Sequence, residues 1–363
     1  AAARPPSREG RLRRGEREPW AQARSWPRRG RSDHPSQFIL ACRSDRLPTV
    51  ANQREFARID PYKRQSARPS PRSWSAATAL SLLLLAILSS AASAFEIRGH
   101  KDELFALPKV LSRTPDGAYV AVDYQEMRDI NGRDEEPERR AKRRYVDLSV
   151  RRHSVLDVFQ GEGRRVAIGR VGKFEGARFA VIFIHGRGGD RRLGMDDYRF
   201  GGNFNRLKNL AVRNGGVYIA PSITDFGAGG LADVAALVRG FHQASPGAPV
   251  ILACGSMGSA ICLAAANDET MAGTLAGLVL LGGIPDPGLA TSALVKRKVP
   301  IDFVHGSNDT VYAEEAQRAV FDAIRAKDKA YPTRFVMLST GSHGSPIRMV
   351  DWKSVLAFML ARY

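Results

Sequence analysis

Six short apolar runs recur along the second half of the chain, at 179–184, 216–220, 250–253, 275–281, 299–304 and 333–339. The first reads Phe-Ala-Val-Ile-Phe-Ile without alternation, the pattern of a strand buried on both faces. Stretches of helical spacing lie among the runs, at about 205–213, 231–242 and 313–326, and a last amphipathic one spans 351–360. Strands and helices alternating at this spacing fold as a mostly parallel sheet with helices on both faces, so the fold class is α/β. Upstream, 118–124 reads as a first strand. Three further short strands are expected at 145–150, 155–159 and 165–171, the last two joined by Gly161-Glu162-Gly163. Neither an internal repeat nor a second folded domain is visible.

Active groups in such sheets gather at the carboxyl ends of the strands. Four of the runs end in residues suited to chemistry. The 179–184 run leads into His185-Gly186-Arg187-Gly188-Gly189-Asp190, and the 250–253 run into Cys254-Gly255-Ser256-Met257-Gly258. The 299–304 run ends in His305-Gly306-Ser307-Asn308-Asp309, and the 333–339 run is followed by Gly341-Ser342-His343-Gly344. A helix-compatible stretch starts directly after Gly258. A serine on a sharp strand-to-helix turn needs small residues two before and two after it, because the turn brings backbone segments together. Cys254 and Gly258 hold those positions, and the usual pattern has glycine at both.

Ser, Asp and His behind the third, fifth and sixth runs form the chain order Ser256, Asp309, His343. A serine hydroxyl attacks only when a base takes its proton, and an imidazole titrates near neutrality. His343 is therefore the expected base, with Asp309 orienting its ring. The backbone N–H groups of Met257 and Arg187 are the expected oxyanion donors.

The other histidines and acids read differently. His100, His153 and His242 lie on irregular or surface-helical stretches, and His34 lies in the basic leader. His185 and His305 open their loops and are expected to order them by hydrogen bonding. Asp286 is the alternative acid, and Asp302, inside a strand, is expected to be a paired structural carboxylate. No zinc or calcium pattern, phosphate loop or dinucleotide fingerprint is present, so neither a metal nor a cofactor is expected.

These motifs together resemble the α/β-hydrolase fold superfamily, from about Val166 to the C-terminus. The resemblance implies Ser256 as nucleophile, Asp309 as acid and His343 as base, and it points to secreted bacterial hydrolases. Lids in this fold are commonly inserted between the fourth and fifth runs. Only 282–298 is available there, so no large cap domain is expected and the site should be open and shallow. The implied reaction is cleavage of a carboxylic ester of a small molecule. A serine peptidase on the same triad, or a non-catalytic envelope-binding protein with this fold, are the alternatives.

Charge is unevenly spread. Residues 1–94 carry a net +11 and the remainder +7. In the remainder the two signs are interspersed, which argues against a nucleic-acid partner. Residues 1–72, rich in Arg, Pro, Ser and Gly, cannot bury enough apolar surface to order themselves. The first methionine is Met127, so this leader is read as a disordered or untranslated extension. Behind a basic flank at Arg68 and Arg72, residues 73–94 carry an apolar core of about ten residues and end in Ala92-Ser93-Ala94, the form of a secretory signal peptide. The core is well short of the ~20 residues of a spanning helix, so no stable membrane anchor is expected. Cleavage after Ala94 would leave a periplasmic or secreted domain, 95–363. Its first stretch, 95–115, reads as irregular, and the charge-rich 126–144 as a solvated surface excursion. Its cysteines, Cys254 and Cys262, are expected to diverge and remain unbridged. The arginines at 187, 191 and 192 could attract an anionic group, and Phe200, Phe204 and Phe226 could line an acyl pocket or pack loops.

Overall fold

The computed structural model describes residues 95–363. The leader and the signal-peptide segment expected at 1–72 and 73–94 lie outside the described residues. Twelve strands occur among those described: β1 (Val110–Arg113), β2 (Tyr119–Val122), β3 (Asp134–Glu136), β4 (Arg140–Ala141), β5 (Ser154–Gly161), β6 (Arg164–Val171), β7 (Ala180–Ile184), β8 (Val217–Pro221), β9 (Val250–Gly255), β10 (Leu275–Leu281), β11 (Ile301–Gly306) and β12 (Thr333–Leu338). Ten of them form one sheet in the order β1-β2-β12-β11-β10-β9-β7-β8-β6-β5. The stretch from β2 to β8 is parallel throughout. Antiparallel hairpins finish both edges. The β5–β6 hairpin turns through Glu162 and Gly163, both at positive φ, as the Gly161-Glu162-Gly163 reading requires.

Every residue of β7, β8, β9 and β10 is buried, because helices cover both faces of the sheet. On one face lie helices α1 (Asn203–Arg213) and, at the chain's end, Trp352–Leu360; they contribute Phe204, Leu207, Leu210, Trp352, Leu356 and Met359. On the other lie Ala228–Ala244, Ser259–Asn267 and Glu314–Lys327, contributing Val234, Phe241, Ile261 and Val320. The alternation along a strand serves both cores. Val181 and Phe183 face the first set, and Ile182 and Ile184 the second. Between β10 and β11 the described residues hold only a 3-10 turn, Pro287–Thr291, and one turn of helix, Ala293–Lys296, so no cap domain is inserted there.

Three expectations for the segment ahead of β5 are corrected. Residues 145–150 are not a strand: they fall in the 3-10 turns Arg143–Tyr145 and Leu148–His153. The Asp147 side chain accepts from Ser149 N–H at 2.9 Å and caps the second turn, a local bond that competes with extended structure. The leading residues 95–115 are not irregular throughout: they hold the helical turn Asp102–Phe105 and β1, and place Ile97 in the sheet core and Phe105 beside Tyr145. The charged excursion 126–144 is not simply solvated. It holds the helix Glu126–Arg133 and the β3–β4 pair, and buries Ile130, Arg133, Asp134 and Ala141. Its buried charged side chains find distant partners: Asp134 pairs with Arg348 at 2.9 Å, and Arg133 Nη1 donates to Arg348 O at 2.7 Å. Those partners lie more than 200 residues away, as the 215-residue separation of the second pair shows. Local charge density could not reveal them.

Candidate active site

The strand β9 ends at Gly255, and Ser256 turns the chain at φ 52°, inside the left-handed region that non-glycine residues rarely occupy. A 3-10 turn, Ser256–Gly258, then opens directly into the helix Ser259–Asn267. The backbone crowding predicted for this turn is present at Gly258. A Cβ there would stand 2.5 Å from Ile184 O and 2.6 Å from His185 O. Gly186 is equally constrained, since its Cβ would meet Ser256 Cβ at 2.9 Å. The turn is further fixed by Ser259, whose Oγ donates to Ser256 O at 2.6 Å and accepts from Ile284 N–H at 2.8 Å.

Cys254 and Cys262 are joined by a disulfide, with Cα atoms 6.4 Å apart. This corrects the expectation that they diverge. Reversal of direction at the elbow lays the helix back along β9, and Cys262, one turn in, faces the core that also receives Cys254. The departure from glycine two residues before Ser256 thus belongs to a covalent tie across the elbow.

His343 sits in the loop after β12. Its Nε2 lies 2.7 Å from Ser256 Oγ and its Nδ1 2.7 Å from Asp309 Oδ2. Asp309 Oδ1 accepts from Val311 N–H at 2.8 Å and Tyr312 N–H at 3.0 Å. His305 Nε2 approaches Oδ2 at 3.2 Å and also lies 2.9 Å from Tyr312 O. Burial alone would raise the Asp309 pKa. Bonds from His305, His343 and the two backbone N–H groups outweigh it and hold the carboxyl well below the usual carboxylate range. An ionised Asp309 accepts, so the network assigns the proton to His343 Nδ1 and leaves the Nε2 lone pair facing the serine hydroxyl. The Asp309 side chain is fully buried while that of His343 is 26 % exposed, so the imidazole can meet a ligand and the carboxylate cannot. Tyr312 packs edge-on against the His343 ring at 5.6 Å.

Of the expected oxyanion donors, Met257 directly follows the serine, and Arg187 follows Gly186, whose backbone packs against Ser256. His185 Nε2 accepts from Ile223 N–H at 3.0 Å, so its Nδ1–H donates to Gly186 O at 2.7 Å. Gly189 N–H donates to the same carbonyl at 3.2 Å. In a trans peptide the following N–H points opposite to the carbonyl, so Arg187 N–H is turned away from that turn. Neither Arg187 N–H nor Met257 N–H enters a turn or loop bond among the described residues. His185 and His305 therefore order their loops, as expected.

The remaining candidates fall into structural roles. Asp286 Oδ1 accepts from Gly288 N–H at 2.8 Å and caps a turn. Asp302 is buried and paired with Arg334 at 2.9 Å, and burial raises its pKa. His242 Nε2 lies 3.1 Å from Ala248 O. Arg191 donates to Asp157 O and Ile168 O, and Arg192 pairs with Asp190, so of the three loop arginines only Arg187 is exposed without such a partner among the described residues. Phe204 is wholly buried against Phe183 and Phe200, and Phe226 stands edge-on to His185; Phe204 packs the core rather than a pocket. Among the described residues no three His, Cys, Asp or Glu side chains are gathered as a metal ion would need, and no helix is long and apolar enough to cross a membrane.

Sequence reasoning missed Glu126, Ser259 and the direct contact of His305 with Asp309. Only His305 carried a signal, its spacing four residues before Asp309.

Residues 181–360 match the sequence model of the alpha/beta hydrolase family. No curated protein matches the chain. Similar solved structures include an esterase from Pyrococcus furiosus, 14 % identical, covering 58 % of this chain and 92 % of its own with a TM-score of 0.43. The esterase domain of a Rhodothermus marinus protein is 18 % identical, covering 58 % and 98 %, with a TM-score of 0.42. An alpha-beta serine hydrolase homologue from Coxiella burnetii is 18 % identical, covering 56 % and 95 %, with a TM-score of 0.39.

Proposed function

Given that the chain belongs to the α/β-hydrolase superfamily, we propose that it is an exported serine hydrolase that cleaves a carboxylic ester through an acyl-enzyme on Ser256. The observation that carries this reading is the unbroken line of hydrogen bonds from Ser256 Oγ through His343 to Asp309, each 2.7 Å long. Serine hydroxyl, imidazole lone pair and buried carboxylate stand in the order that proton transfer requires.

Ser256 Oγ attacks the ester carbonyl carbon as its proton passes to His343 Nε2. The imidazolium that forms is stabilised by Asp309, which stays ionised. The carbonyl oxygen becomes an alkoxide held by Arg187 N–H and Met257 N–H; losing one such donor costs about 2.7–4 kcal/mol in the barrier. Collapse of the tetrahedral species expels the alcohol, which takes the proton from Nε2. Water then attacks the acyl carbon as one of its protons passes to Nε2; the bond to Ser256 Oγ breaks, Oγ takes that proton back, and the carboxylic acid is released. Small positions at Gly186 and Gly258 let the loop and elbow approach closely enough for both donors to reach one oxygen.

Export is supported by the signal-peptide form of 73–94 and by the Cys254–Cys262 disulfide, since such bonds persist in oxidising compartments such as the periplasm or the extracellular space. The expected partner is a small-molecule ester.

A chain-length series of p-nitrophenyl esters, assayed beside aminoacyl amides with Ser256→Ala as control, tests the reading. Ester turnover that vanishes in the variant is the expected result. Faster amide than ester cleavage would make the enzyme a peptidase, and equal ester turnover by Ser256→Ala would remove the serine mechanism altogether.

A further inference from the structure

The base of the proposed mechanism is carried by a loop with no regular structure of its own. Residues 340–344 follow β12, and Thr340 takes up φ 55°. Yet His343 Nε2 must be kept within hydrogen-bond reach of Ser256 Oγ. Three donors from this loop and the turn after it converge on one side chain. Ser342 Oγ donates to Glu126 Oε1 at 2.7 Å, Ser342 N–H to Oε2 at 3.2 Å, and Ser345 Oγ to Oε2 at 2.7 Å. Two residues earlier, Tyr124 O accepts from Thr340 Oγ1 at 3.1 Å. The Tyr124 carbonyl and the Glu126 carboxylate thus grip the loop on either side of its histidine.

We infer that Glu126 is a positioning residue of the hydrolytic site, clamping the loop that presents His343 to Ser256. The inference rests on the reading of Ser256, His343 and Asp309 given above. Glu126 lies outside 181–360, so the clamp comes from a segment that the alpha/beta hydrolase family model does not match.

The chemistry explains the residue type. All three groups aimed at position 126 donate, and a carboxylate is an acceptor on both oxygens, whereas an amide would present N–H to donors on one side. Burial alone would raise the Glu126 pKa, but the bonds from Ser345 and Ser342 turn the net shift downward, so the group remains ionised. The clamp is also braced. Glu126 opens the helix Glu126–Arg133, whose last residue, Arg133, is buried and donates to Arg348 O just beyond the histidine loop. Asp134 adds its ion pair to Arg348. Glu126 is held by a fixed body rather than by a free arm.

The test compares Glu126→Ala, Glu126→Gln and Ser345→Ala with the wild type. It measures kcat and KM on p-nitrophenyl butyrate, the rate of fluorophosphonate labelling, and thermal unfolding. A misplacement of about 1 Å in a reacting group costs on the order of 100-fold in rate, so Glu126→Ala is expected to lower kcat by roughly 30–100-fold. KM should stay within about threefold, because the substrate contacts remain. Labelling should slow in parallel, and Glu126→Gln, keeping one acceptor oxygen, should recover part of the loss. A folded Glu126→Ala with kcat within twofold of wild type overturns the clamp. So does a kcat loss that only tracks the fraction unfolded. If Glu126→Ala does not fold, Glu126→Gln and Ser345→Ala carry the test through their double variant. Effects on log kcat that are less than additive support a shared contact, and full additivity overturns it. Ser256→Ala, run beside them, separates the two readings. If it keeps wild-type turnover, the site is elsewhere and the clamp falls with it. If it abolishes turnover while Glu126→Ala does not alter kcat, the clamp alone falls.

Discussion

Asp309 Oδ2 accepts the Nδ1–H of His343 at 2.7 Å from a position with no solvent exposure, while the imidazole it orients remains reachable. The carboxylate is satisfied on both oxygens by the protein alone, through Val311 and Tyr312 N–H and the two histidines. Replacing Asp309 by Asn keeps the shape but puts an N–H or a weaker acceptor opposite Nδ1, which favours the wrong tautomer. We expect kcat to fall by about 10⁴. The melting transition should persist, and steady-state kinetics beside circular dichroism checks both.

The central strands, and the three residues Ser256, Asp309 and His343 that the fold brings into hydrogen-bond contact, are legible in the sequence because their signals are local. Continuous apolar runs mark β7, β9 and β10, which are buried on both faces, and each candidate residue stands directly behind a strand. The strand β1 was not legible: its four residues are all exposed, so the Val-Leu-Ser-Arg run has no burial pattern to display. The misread 126–144 segment and Glu126 share one cause, since what they contact is some 215 residues away. The Cys254–Cys262 bond is not legible because the spacing puts one cysteine at a strand end and the other inside the next helix, and only the reversal at the elbow brings them together.

The carbonyls of Ile184 and His185 occupy the space that a side chain at Gly258 would need. Gly258→Ala forces Ile184 and His185 away from the elbow, and with them the loop that carries Arg187 N–H. Overpacking of this kind costs about 1–3 kcal/mol of stability. Activity should fall further than that figure implies, because the oxyanion donors separate. Urea titration and kcat/KM on the same preparation would show the difference.

The disulfide closes a loop with a sequence separation of 8. Loop-closure entropy assigns such a link about 2.5 kcal/mol, so the Cys254→Ala/Cys262→Ala variant should melt roughly 5–10 °C lower. Thiol titration of the denatured domain 95–363 without reductant should detect no free thiol, and calorimetry of the variant measures the rest.

His100 is buried near Arg213, Asp147, Lys101 and Arg206, and burial foremost, then Arg213, pushes its pKa from 6.5 down to about 4, against the opposing pull of Asp147. The unfolded chain takes up this proton as pH falls through 6.5, while the folded protein resists until about 4. Between those values the unfolded state binds more protons, so stability declines on acidification and this contribution levels off below pH 4. Melting temperatures measured from pH 7 to pH 4 should show the decline, and His100→Gln should flatten it.

The central claim is that Ser256 is a nucleophile activated by His343, and covalent labelling tests it most directly. A fluorophosphonate probe incubated with the folded protein, followed by peptide mass mapping, is expected to modify the peptide containing Ser256. The label should be lost in Ser256→Ala and strongly slowed in His343→Ala. A folded wild-type protein that takes no label, or takes it at another residue with Ser256 untouched, would contradict the account.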